Sequence, residues 1–180
     1  HNSACGQKGA VGLGWIYEVE WDGGGSIARG LSWDDSLNWN PDRVPGPNDH
    51  AKIIMDGTYT VDVTQPTEIW ELTHGAASGV QTLDVLSGGL AVTHGATSTS
   101  EITVRSGAAL EARELDATSV ITNAISGTVT LDGGDLIGTG TFINQGELIK
   151  TGPDTSYIGL TFVNDFTTAT GYVSVEAGSL

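Results

Sequence analysis

From residue 51 onward, apolar and polar residues alternate in short runs separated by Gly, Ser, Asp and Asn. A period of two puts one set of side chains on one face of a strand, so this region is predicted to be a train of short strands. Leu83 and Val85, Leu90 and Val92, Ile102 and Val104, and Leu110 fall on the predicted inward face. Residues 15–20, Trp-Ile-Tyr-Glu-Val-Glu, alternate in the same way within an otherwise polar, Gly-rich leader. Residues 21–50 show no clear period and are rich in turn formers, with Trp21, Trp33 and Trp39 set among Pro41, Pro45 and Pro47. The chain therefore divides into a leader at 1–20, an aromatic Pro/Gly-rich cap at 21–50 and strands at 51–180.

The strand region repeats. Thr73-His74-Gly75-Ala76 recurs as Thr93-His94-Gly95-Ala96, and Thr141-Phe142-Ile143-Asn144 recurs as Thr161-Phe162-Val163-Asn164, both at an offset of 20. Ser87-Gly88, Ser106-Gly107 and Ser126-Gly127 follow nearly the same interval, as do Leu90 and Leu110. A strand-only period near 20 predicts a β-solenoid in which each repeat is one coil. The fold class is all-β, a right-handed parallel β-solenoid closed at its N-terminal end by the aromatic cap. One coil cannot bury its apolar side chains alone, whereas coils stacked about 4.8 Å apart join into parallel sheets. Asn144 and Asn164 are placed to stack as an amide ladder.

Composition agrees. The 22 Thr favour strands, and the 26 Gly interrupt any long helix while supplying turn conformations. Seven basic residues stand against 22 acidic ones, a net charge of -15. That balance argues against a nucleic-acid partner and against docking on an anionic membrane surface. No apolar run reaches the roughly 18 residues that span a bilayer, so membrane insertion is not expected. A single cysteine, Cys5, excludes an internal disulfide and leaves an inert thiol, an intermolecular link or a lipid attachment as its readings.

Particular residues then resemble a family. Trp21-Asp22-Gly23-Gly24-Gly25, Ser32-Trp33, Asn38-Trp39, Val44-Pro45-Gly46-Pro47-Asn48-Asp49 and Ala51-Lys52-Ile53-Ile54 look like the opening module of large secreted bacterial β-helix proteins, autotransporter-like or adhesin-type. Thr60-Val61-Asp62-Val63 fits the first strand after that module. Gly138–Phe142, Asn144–Leu148 and Val173–Leu180 are similar to the family's repeats. The resemblance covers residues 21–180 and implies a secreted, extracellular or cell-surface setting. It is specific for architecture, since such coils carry adhesins, fibres and polysaccharide enzymes alike. The family's pattern continues beyond the equivalent of Leu180, so the chain is expected to be a fragment or to have its end covered by a partner.

Several residues have a chemical reading beside a structural one. Trp21, Trp33 and Trp39 are either a cap or stacking platforms for sugar rings, and Trp70 is core or lateral surface. Asp22, Asp34, Asp35, Asp42 and Asp49 offer hard oxygen ligands suited to calcium, but match no calcium-loop spacing and serve equally as turn caps. Asp132-Gly133-Gly134-Asp135 reads as a turn. His74 and His94, 20 residues apart, are expected one above the other, as a corner ladder or as two ligands of a zinc or copper ion that lacks a third. Arg105 and Arg113 lie near Glu101, Glu111 and Glu114, a lateral patch of opposite charges. No Gly-x-Ser-x-Gly element and no paired nucleophile are present, and an enzyme is not expected.

The expected function is an extracellular structural or adhesive module that can self-assemble head to tail. Trp15, Ile16, Tyr17 and Val19 at one end and Val173, Val175 and Leu180 at the other are the expected assembly residues. The partners are copies of the chain or further coils. A heterologous contact of that kind does not close and makes filaments. The alternative is a carbohydrate-binding or polysaccharide-degrading module that uses a lateral groove and its Trp residues, Trp70 among the expected ligand-binding positions with Trp21, Trp33 and Trp39.

Overall fold

The computed structural model describes residues 15–25, 31–165 and 171–180. They form β1 (Tyr17–Trp21), β2 (Trp39–Asn40), β3 (Asp49–Ile53), β4 (Tyr59–Val63), β5 (Thr67–His74), β6 (Gln81–Val85), β7 (Gly89–Ser98), β8 (Glu101–Val104) and β9 (Ala109–Ala112). They continue with β10 (Leu115–Ala117), β11 (Val120–Asn123), β12 (Thr128–Asp132), β13 (Leu136–Ile137), β14 (Thr141–Asn144), β15 (Glu147–Thr151), β16 (Thr161–Asn164) and β17 (Tyr172–Val175). Among the described residues the only helical piece is a single 3-10 turn, Ser36–Asn38. The strands wind into a β-solenoid of about 6 turns with a period of about 21 residues.

Three faces make each coil. β4, β6, β8, β11, β14 and β16 stack in parallel as one face. The long strands β5 and β7 turn a corner and serve the other two. Their N-terminal halves lead to β9, β12, β15 and β17, and their C-terminal halves join β3, β10 and β13. Parallel pairing repeats the same inward position coil after coil, so the core is a set of columns. One runs Val61, Leu83, Ile102, Ile121, Phe142, Phe162. Another runs Ile69, Val92, Ala112, Leu131, Lys150, Val175. A third runs Val19, Ala51, Leu72, Ala96, Leu115, Leu136. Leu83, Val85, Leu90, Val92, Ile102, Val104 and Leu110, the inward positions read from the sequence, are all buried.

The stack opens differently from its sequence outline. Residues 17–21 belong to the stack and not to a leader outside it: β1 lies parallel to β3, and Val19, expected as an assembly residue, is buried at the head of a core column. β2 runs antiparallel against Glu20 and Trp21. Ser32 pairs in parallel with Asp62, which brings Trp33 beside the first coil. Aromatic rings fill this end of the described stack, packed over the first coil.

Candidate functional site

The aromatic cap resolves the first choice. Trp21, Trp33 and Trp39 are fully buried. Trp39 meets Trp21 edge to face at 5.1 Å and Trp33 at 4.7 Å, and Tyr59 stacks on Trp21 at 6.4 Å. Trp39 Nε1 donates to the Trp33 carbonyl at 2.8 Å. Rings used this way have no face left for a sugar, so these three are cap residues and not binding platforms. Trp70 differs. It is half-buried and stacks on His94, with ring centroids 4.7 Å apart and planes 23° from parallel.

The acidic residues of the cap are engaged locally. Asp22 Oδ1 accepts from Gly24 N, and Asp35 Oδ1 caps the 3-10 turn by accepting from Leu37 N. Asp34 accepts from the Thr64 hydroxyl at 2.8 Å. Asp49 is buried, held by a two-pronged pair with Arg43 and by Gly46 N. Among the described residues no three or more His, Cys, Asp or Glu side chains are grouped to hold a metal ion. Cys5 lies outside the described residues.

His74 and His94 are not stacked, contrary to the sequence offset. His74 lies opposite Ser98, 24 residues on, in the inward column Ile53, His74, Ser98, Ala117. A register shift between Ile69 and Glu71 opposes Trp70 with the extra residue of β7, at Thr93 and His94. His94 therefore points outward and His74 inward. Ser98 donates its hydroxyl to the Ser100 carbonyl, so Ser98 Oγ accepts from His74 Nδ1 at 2.9 Å. Burial pushes the His74 pKa down to about 4, so the imidazole is neutral at pH 7, and its Nε2 has no hydrogen-bond partner among the described residues.

Two polar features occupy the core. Asn123, Asn144 and Asn164 continue the column Val63, Val85, Val104. Asn123 Nδ2 donates to Asn144 Oδ1 at 2.8 Å, and Asn144 Nδ2 donates to Asn164 Oδ1 at 2.9 Å. The second hydrogens reach the Glu147 and Tyr172 carbonyls at 3.0 Å. Asn123 Oδ1, facing Val104, has no partner among the described residues. Lys150, missed as a core residue, is 0% exposed. Its ammonium donates to the carbonyls of Thr151, Gly152 and Ala177. The alternation Leu148, Lys150 was the signal that could have placed it inward.

The expected assembly residues lie at the two ends of the stack. Trp15, Ile16 and Tyr17 are exposed at the first coil, and Val173, Val175 and Leu180 at the last. Val173 and Val175 end inward columns with more than 40% of each side chain open to solvent. Val19 is the exception, buried as described.

One lateral cleft gathers chemically varied side chains. It has a volume of about 520 Å³ and follows the corner where β5 and β7 bend. Glu71, His94, Arg113, Glu114, Asp135 and Thr155 line it, with Gly95 and Ala96 in the same strand as His94. They come from five successive coils at the same corner, with Arg113 and Glu114 adjacent in one of them. Gly133 and Gly134 also line the cleft: Gly133 turns at φ +73°, and Gly134 packs so close to the preceding coil that a Cβ would run into the Arg113 carbonyl. Asp135 Oδ1 accepts from Tyr157 N at 2.8 Å. Arg113 makes no ion pair or hydrogen bond among the described residues, whereas Arg105 is held by both oxygens of Asp84 and not by the nearby glutamates. No family model matches the chain, and neither curated proteins nor solved structures yield a match.

Proposed function

We propose that the chain is an extracellular structural module that assembles end to end through the two faces of its coil stack. The observation that carries this reading is the placement of exposed apolar side chains. Trp15, Ile16 and Tyr17 crowd one end, and Val163, Tyr172, Val173, Val175 and Leu180 crowd the other. At the last coil Val173 and Val175 are the terminal members of columns whose inner members are buried, and β16 and β17 are edge strands with unpaired backbone groups. A further coil laid there would bury both.

Charge favours the same direction. The net charge of -15 makes side-to-side approach repulsive, while the ends are apolar. Contact between unlike ends leaves a new free end each time, which gives a filament one solenoid wide. Sedimentation velocity over a range of concentrations tests this. Wild-type protein grows into larger species as concentration rises, and a Val173→Glu, Val175→Glu double variant with an unchanged circular dichroism spectrum remains monomeric. A wild-type monomer across the whole range overturns the proposal.

A further inference from the structure

The last coil is held weakly by its apolar positions. Val173 and Val175 are each more than 40% exposed, whereas their partners one coil earlier, Leu148 and Lys150, are 0% exposed. Hydrogen bonds tie the final corner, residues 176–179, to the coil beneath, and one buried side chain stands among them. We infer that Lys150 is the clamp that fixes this corner and so positions the assembly surface of the last coil. The clamp follows from the geometry of the corner, and its consequence for assembly rests on the end-to-end reading above.

Lys150 interrupts an apolar column, with Ile69, Val92, Ala112 and Leu131 before it and Val175 after it. An ammonium taken out of water is costly, so it persists in a core only where its three hydrogens find acceptors. Three carbonyls supply them. Thr151 and Gly152 lie in the same coil, Gly152 at 2.9 Å, and Ala177 lies in the last coil at 3.4 Å. Among the described residues no carboxylate pairs with Lys150, so its charge is met by the backbone of two successive coils. An apolar side chain would continue the column, but it could not hold the two turns together.

The turns are shaped to offer these carbonyls. Gly152 and Gly178 adopt the left-handed conformation, at φ +73° and +72°. Gly178 lies so close to the coil beneath that a Cβ would run into the carbonyls of Asp154, Gly152 and Pro153. Beside that contact, Glu176 N donates to the Lys150 carbonyl and Ser156 N donates to the Ser179 carbonyl, both at 2.9 Å. The Thr155 and Ser179 hydroxyls also meet at 2.9 Å, but in contact with water. The ammonium is shielded and charged, so it is the stronger donor of this set. Val175 precedes the corner and Leu180 follows it, so the place of the corner decides where both stand.

Hydrogen–deuterium exchange of the dilute full chain, read by mass spectrometry with fragmentation to single amides, tests the clamp. In Lys150→Met, the amides of Ser156 and Glu176, which bond across the corner, are expected to exchange at least about tenfold faster than in wild type. The earlier coils keep their protection. Leu131→Met changes the same column one coil earlier and leaves both amides as in wild type. Sedimentation velocity then shows weaker assembly for Lys150→Met than for wild type at equal concentration. Unchanged exchange at both amides overturns the inference. So does protection lost evenly from every coil, which would make Lys150 an ordinary core residue. Faster exchange at the corner with wild-type assembly overturns the positioning role. A wild type that never assembles overturns the end-to-end reading alone, since exchange reads the clamp in the monomer.

Discussion

Replacing Asn144 by Leu cuts the amide ladder in its middle. Asn144 accepts one hydrogen bond from Asn123 and gives two, to Asn164 Oδ1 and to the Tyr172 carbonyl. At about 1 kcal/mol net for each, the lost bonds amount to about 3 kcal/mol. The Asn123 donor is then left unpaired in a fully buried position, which adds about 1–3 kcal/mol. Better packing of Leu returns about 1–2 kcal/mol, leaving a net loss of about 3 kcal/mol. Asn123→Leu is the comparison. It loses two bonds, to Asn144 and to the Glu147 carbonyl, and leaves the buried Asn144 Oδ1 unpaired, but that cost is offset because it removes an Oδ1 that has no partner, and it puts an apolar side chain against Val104. Its net loss is about 1 kcal/mol. Urea unfolding followed by far-ultraviolet circular dichroism reads the difference as a lower midpoint for Asn144→Leu than for Asn123→Leu. Equal midpoints, or the reverse order, would refute the ladder reasoning.

Acid should weaken the fold through His74. Its folded pKa of about 4 lies below the ordinary 6.5, so the unfolded chain takes up a proton that the folded chain does not. Stability is therefore full above pH 6.5 and declines by about 3 kcal/mol as pH falls to 4; subtracting the profile of His74→Leu isolates this loss, and a flat difference contradicts it. Lysine acylation in native conditions should modify the partly exposed Lys52 and spare Lys150 until urea unfolds the chain, as peptide mass spectrometry can read. Acrylamide should quench Trp15 and Trp70 while leaving Trp21, Trp33 and Trp39 shielded; single-Trp variants assign the signals, and efficient quenching of the three cap residues contradicts their burial.

The architecture was legible because two local signals agree with the global one. Period-two alternation marks which side chains face inward, and recurrence near 20 residues marks where coils repeat. The ladder was legible for the same reason, since Asn144 and Asn164 sit at an offset equal to the spacing of their own coils. The histidines were misread because coil length is not constant. Leu83 lies on Ile102 at an offset of 19, but His74 lies on Ser98 at 24. Extra residues at a corner turn a matching tetrapeptide out of register, and a one-residue shift in a strand exchanges inside for outside. The cleft was illegible for a related reason. Its residues share a corner and not a motif, and only three-dimensional stacking aligns Glu71 with His94 and with Arg113 and Glu114. The cap was half legible: three tryptophans among prolines and glycines gave compact packing, while the strand before them gave no sign that it would pair with β3.

Fibre diffraction from aligned, concentrated protein tests the central claim most directly. End-to-end stacking puts every strand across the filament axis, so a reflection near 4.8 Å is predicted on the meridian. A protein that forms no filaments at any concentration, or one whose 4.8 Å reflection falls on the equator, would contradict the account.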